Sequence, residues 1–176
     1  FRSTLAENNV SRYFFDLISA ESIPMPLTQP HGHALLPDRA AVTRCFSRIP
    51  CLSGLHQETL DRLAEFSRLL PAGEADELCR EGDSADSLLI LLEGQVALSG
   101  AAANGSRAVV EVIRPVAPIQ LATVLARLKY PSTATAVSAC QVLSIQADRL
   151  HALMAEVPEL ATALVRAQAM EFDAME

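Results

Sequence analysis

The sequence predicts a mainly β fold with flanking helices, an antiparallel β-roll of the double-stranded or jelly-roll type. Three observations predict it. From Glu74 to about Ile145 the hydrophobic period is short, with Val96 and Leu98 alternating with Gln95, Ala97 and Ser99. An Asn104-Gly105 pair precedes Val110, Val112 and Ile113, and Asn-Gly between apolar runs is a strong hairpin signal. On either side the period lengthens to that of helices, through Leu60 and Leu63 before the strands and Leu160 and Leu164 after them.

The elements follow in order. From Ser3 to Ala20, Val10, Phe14, Leu17 and Ile18 recur at helical spacing. Pro24, Pro26, Pro30 and Pro37 then forbid regular structure, so residues 1–37 read as an N-terminal helix and Pro-rich linker and residues 38–176 as the domain. Asp38 is placed to cap a helix carrying Ala40, Val42, Cys45 and Phe46. Pro50 and Gly54 mark a turn. A second helix then carries Leu60, Leu63, Ala64, Phe66 and Leu70, and ends at Pro71-Ala72-Gly73. Later strands run through Thr133, Thr135 and Val137, and through Val142, Leu143 and Ile145. Leu121, Val124, Leu125 and Leu128 interrupt them with a short helical pattern. After Asp148 a helix carries Leu150, Leu153 and Met154. Pro158 opens a last helix whose Leu160, Leu164, Ala167 and Met170 form a coiled-coil-like seam, ending toward Ala174.

Composition narrows the function. Half of the 176 residues are hydrophobic, enough for a core without disulfides. A net charge of −7 suits a phosphate backbone poorly, so no direct nucleic-acid contact is expected of this segment. Cys45, Cys51, Cys79 and Cys140 are scattered and read as free thiols of a cytoplasmic protein. No apolar run is long enough for a membrane span. The start, Phe1-Arg2-Ser3-Thr4, is no signal peptide and lacks an initiator Met, which fits a piece of a longer product. No nucleophile elbow or phosphate loop is found, so no catalytic residue and no enzyme activity are expected. His31-Gly32-His33 falls in the linker, while His56 and His151 sit on separate helices. No metal site is therefore assigned, although a histidine–haem link stays open.

Several short segments carry a resemblance in order: Ile49-Pro50-Cys51-Leu52-Ser53-Gly54-Leu55, Pro71-Ala72-Gly73-Glu74, Arg80-Glu81-Gly82-Asp83-Ser84-Ala85-Asp86-Ser87, Leu89-Ile90-Leu91-Leu92-Glu93-Gly94-Gln95-Val96 and Ala134-Thr135-Ala136. The span from about Arg44 to Glu176 resembles the cyclic-nucleotide-binding domain of the catabolite-activator and fumarate–nitrate-reduction regulator family. Gly82 and Gly94 stand where tight reversals call for positive φ. As a plain turn, the R-E-G-D element would pair Arg80 with Asp83.

The resemblance implies a phosphate cassette of the form F-G-E-L-A followed by P-R-S-A-T-A. This chain has Pro118-Ile119-Gln120-Leu121-Ala122 and Pro131-Ser132-Thr133-Ala134-Thr135-Ala136 instead. Ile119 replaces the glycine, Gln120 the glutamate and Ser132 the arginine. The expected ligand-binding positions of this degenerate pocket are Ile119, Gln120, Leu121, Ser132 and Thr133, with Arg127 or Lys129 as substitute cations. Gln120 still bonds a hydroxyl, whereas Ser132 cannot neutralise a phosphate. Losing a charged hydrogen bond costs about 1.5–3 kcal/mol, so cyclic AMP in the usual pose should bind weakly.

The resemblance implies a regulatory sensor domain with an unidentified small-molecule effector and no assignable cofactor. It further implies a homodimer through Leu160, Leu164, Ala167 and Met170, against the alternative that this seam packs on its own roll. A helix-turn-helix would then be encoded after Glu176. The other expectation is a non-transcriptional regulatory or protein-interaction module with a vestigial nucleotide pocket.

Overall fold

The computed structural model describes residues 39–101 and 106–173. The expected N-terminal helix and linker, His31 and His33, the Asp38 cap, the Asn104-Gly105 turn and Ala174 lie outside them. Two helices come first, α1 (Arg39–Phe46) and α2 (Gln57–Glu65). The roll follows as β1 (Ser67–Ala72), β2 (Glu77–Cys79), β3 (Ser87–Glu93), β4 (Val96–Ala101), β5 (Arg107–Ile113) and β6 (Ala117–Ile119). After α3 (Leu121–Leu125) it is completed by β7 (Thr133–Ala136) and β8 (Cys140–Gln146). The helices α4 (Ala147–Glu156) and α5 (Pro158–Asp173) close the chain's described part.

The strands form two four-stranded sheets, ordered β1-β8-β3-β6 and β2-β7-β4-β5, and every pairing is antiparallel. Strand β3, Ser-Leu-Leu-Ile-Leu-Leu-Glu, shows why the first sheet is central. Its Leu88, Ile90 and Leu92 pack among the helices with Phe46, Leu63 and Leu150, while Leu89 and Leu91 face the roll interior with Leu98, Ile119 and Val142. A strand buried on both faces reads as a continuous apolar run, which is what this segment is.

Several sequence expectations are corrected. The second helix stops at Glu65, and Ser67–Ala72 is a strand paired with β8, Leu70 against Val142 and Pro71 against Gln141. Phe66 and Leu70 fall at helical spacing by coincidence. Strand β1 lies at the edge of its sheet, where a proline's missing N–H is tolerated. The helix expected from Leu121 to Leu128 ends at Leu125, and Arg127 turns to a φ of 54°. Arg80 bonds Glu77, at 2.9 and 2.5 Å, and not Asp83.

The seam on α5 is also redistributed. Leu160 and Leu164 are buried in the chain's own helix-side core, Ala167 packs partly against it, and Met170 is 73% exposed. The glycine expectations hold, with φ of 87° at Gly82 and 91° at Gly94.

Candidate functional site

A cleft of about 660 Å³ opens where β4, β5, the β6–α3 junction, the segment before β7, and α5 meet. Leu98, Gly100, Val110, Ile113 and Pro118 give it apolar walls, and Gln120, Leu121, Ser132 and Gln168 line it as well. Two carboxylate-bearing residues, Glu81 and Glu111, also line it.

Gln120 occupies its place through backbone geometry. It stands immediately before α3 with φ 52° and ψ 44°, a left-handed conformation, and its carbonyl accepts the N–H of Thr123 at 3.1 Å. Its side-chain amide Nε2 donates to the Ser132 carbonyl at 3.1 Å and lies 3.5 Å from the Cys79 thiol. That bond joins the two halves of the cassette. The other amide atom, Oε1, is buried with no hydrogen-bond partner among the described residues. Gln120 therefore keeps an unused acceptor buried beside the cleft.

The R-E-G-D element braces the second half of the cassette. Gly82 N–H donates to the Tyr130 carbonyl and Tyr130 N–H to the Asp83 carbonyl, each at 2.9 Å. Glu81 N–H donates to Thr133 Oγ1 at 3.1 Å, and Ser84 forms an isolated bridge with Lys129. The element is thus a turn that holds Tyr130 and Thr133 in place. Burial pushes the Cys79 thiol up, with Asp83 adding to it against a lowering backbone bond from Ala134. The thiol stays protonated and is a poor nucleophile.

The predicted positions separate on inspection. Gln120, Leu121 and Ser132 line the cleft together. Ile119 does not line it. The residue is 1% exposed in the roll core and pairs with Leu89, so it fills the interior instead of blocking the cleft mouth. Thr133 lies beside the cleft, its hydroxyl taken by Glu81 N–H and by the Arg107 guanidinium. Arg127 is committed elsewhere, 3.1 Å from Asp148 on α4, and Lys129 is exposed; neither lines the cleft.

Arg107, Glu111 and Gln168 stand in no motif of the sequence, and Glu81 stands there only as part of the R-E-G-D turn. The first lies just past the hairpin turn, where a polar residue reads as ordinary turn chemistry. Gln168 was hidden because the last helix was read only for its apolar seam. Among the described residues no group of three His, Cys, Asp or Glu is placed to hold a metal, and no helix is long and apolar enough to cross a membrane.

Comparison with known proteins agrees with the fold. The family model described as cyclic nucleotide-binding domain matches residues 68–157. No curated protein matches the sequence. Among solved structures, the N-terminal domain of a transcriptional regulator from Streptomyces coelicolor is 27% identical with a TM-score of 0.59, over 75% of this chain and 95% of that one. The sensor domain of the transcriptional regulator DNR from Pseudomonas aeruginosa is 18% identical with a TM-score of 0.63, over 73% and 91%. A Ruegeria pomeroyi protein named for cyclic nucleotide binding is 21% identical with a TM-score of 0.63, over 78% of this chain; the chain spans only 61% of that protein's length.

Proposed function

The chain belongs to the cyclic nucleotide-binding domain family, and from that premise we propose that it is the effector-sensing part of a dimeric, cytoplasmic transcription regulator whose cleft does not take cyclic AMP in the usual pose. One observation carries the reading. A single cleft is lined both by the cassette residues Gln120 and Ser132 and by Gln168 of the last helix. A ligand seated there touches the roll and α5 at once, so it shifts the population of helix arrangements by its differential contacts. Among the described residues, Val165 and Met170 are the large apolar side chains that α5 exposes, at 61% and 73%, and Met170, a position of the expected seam, is where a twin helix would pack. A DNA-reading segment would follow on the same polypeptide.

The departure from cyclic AMP rests on charge. Ser132 supplies no cation, and Glu81 and Glu111 bring negative charge to the same cleft. Calorimetric titration with cyclic AMP, cyclic GMP, cyclic dinucleotides and haem tests this. No micromolar cyclic AMP binding is expected of the wild type, and Ser132→Arg should strengthen it about tenfold to a hundredfold. Micromolar cyclic AMP binding by the wild type that Ser132→Ala abolishes would overturn the proposal.

A further inference from the structure

A second concavity, of about 510 Å³, lies at the end of the first sheet and is separate from the cleft described above. It is lined by Arg68, Ser87, Ser144, Gln146 and Arg149, with Glu65 and Phe66 beside them. The strand register explains the gathering. Arg68 on β1 pairs directly with Ser144 on β8, and Gln146 on β8 pairs with Ser87 on β3. Residues paired in this way point to the same side of a sheet, and every second residue along a strand returns to that side.

On this side the sheet begins as roll interior, with Leu91 and Val142 both buried. Moving along β3 and β8 toward α4 it becomes Ser87, Ser144 and Gln146, and β1 places Arg68 in the same row as Ser144. In the row of Ser144, β3 still carries the buried Leu89, and it turns polar one row later, where Ser87 faces Gln146. Arg149, two residues into α4, adds a second guanidinium from above the strand ends.

The charge balance is as informative as the geometry. Glu65 is the acidic residue of the group, and its carboxylate is held by Arg39 at 3.0 Å. Among the described residues neither Arg68 nor Arg149 has a carboxylate partner. Two guanidiniums, two hydroxyls and an amide thus converge on a chain whose net charge is −7. Concentrating unneutralised cations on one concave spot is repulsive unless an anion sits between them.

We propose that this concavity is an oxyanion site, taking a multiply charged phosphate-class anion between Arg68 and Arg149 with Ser87 and Ser144 donating to its remaining oxygens. Guanidiniums match such an anion with paired N–H donors, and hydroxyls orient to suit. The proposal is independent of what occupies the sensing cleft.

Inorganic pyrophosphate is the probe, added to the full chain in thermal melts, with sodium chloride at matched ionic strength as the comparison. A saturable rise in Tm with pyrophosphate and none with chloride is expected, because a ligand bound only by the folded state stabilises it by mass action. Arg68→Gln and Arg149→Gln should each weaken binding about tenfold or more, and the double variant should abolish it. Amide chemical-shift changes on titrating the wild type need no variant; they should centre on Ser87, Ser144 and Gln146. An equal rise in chloride, an unchanged response in the double variant, or shift changes centred on Gln120 and Ser132 would each overturn the site.

Discussion

At Gly94 the chain turns from β3 into β4 with φ at 91°, and there is no room for another atom. A Cβ built there lies 2.4 Å from the Ala139 carbonyl oxygen and 2.6 Å from the Cys140 sulfur. Gly82 has nearly the same φ, 87°, but a Cβ there meets nothing within 4 Å. The two positions separate backbone strain from crowding. Gly82→Ala should cost about 1–2 kcal/mol, the left-handed penalty alone. Gly94→Ala should cost that and about 1–3 kcal/mol more, because the backbone of the 139–140 turn must move. Urea unfolding of both variants checks the difference, and equal losses would show that crowding is not felt. Both glycines are legible in the sequence as tight reversals between strands. The partner of Arg80 is not, because Glu77 and Asp83 are each three residues away and only the path of the chain past β2 selects Glu77.

At the scale of elements, the strands were easier to read than the helix ends. The run of β3 states its burial directly, whereas in β4 the alternation marks Val96 and Leu98 but not the equally buried Ala97 between them. Phe66 and Leu70 continue the helical spacing of Leu63, although Leu70 lies in a strand. Pairing with β8 decides it, and pairing is a long-range fact that local spacing does not carry. The last helix was ambiguous for the same reason. Its apolar repeat is shared between the chain's own core, through Leu160 and Leu164, and an outer surface at Val165 and Met170. Those two faces give different outcomes on substitution. Leu164→Ala removes a side chain that is 1% exposed and should destabilise the fold by about 2–5 kcal/mol. Met170→Glu should leave protomer stability within about 0.5 kcal/mol. If α5 pairs with its twin, the same Met170→Glu chain elutes as a monomer where the wild type elutes as a dimer. Light scattering on the eluting protein reads both species, and a dimer that persists in Met170→Glu and Val165→Glu removes α5 from the interface.

At the scale of the whole molecule, the described residues form two cores sharing one sheet, and Tyr130 is a point where several segments are tied together. It is 6% exposed in the helix-side core, and its hydroxyl donates to the Ser87 carbonyl at 2.8 Å at the start of β3. Its backbone bonds to Gly82 and Asp83 fix the turn before that strand. Nothing in the sequence singled this residue out, because a tyrosine before Pro131 looks like loop. Burial, the largest cause, pushes its phenol up to about 12, with Cys79 and Asp86 adding to it. In the unfolded chain the same phenol releases its proton near pH 10. Between those two values the unfolded state holds fewer protons than the folded one, so stability falls as pH rises from about 10 to about 12. Below about pH 10 the phenol is neutral in both states and adds no slope. Tyr130→Phe loses the Ser87 hydrogen bond and should be about 1 kcal/mol less stable than the wild type at neutral pH. It also loses the titration, so its deficit should shrink steadily above about pH 10 and can reverse. Urea unfolding of both proteins across that range measures the gap. Tyr13, the chain's other tyrosine, is common to both and cancels. A deficit that stays constant through the alkaline range would mean that the Tyr130 hydroxyl is solvated in the folded protein and does not tie β3 to the cassette segment.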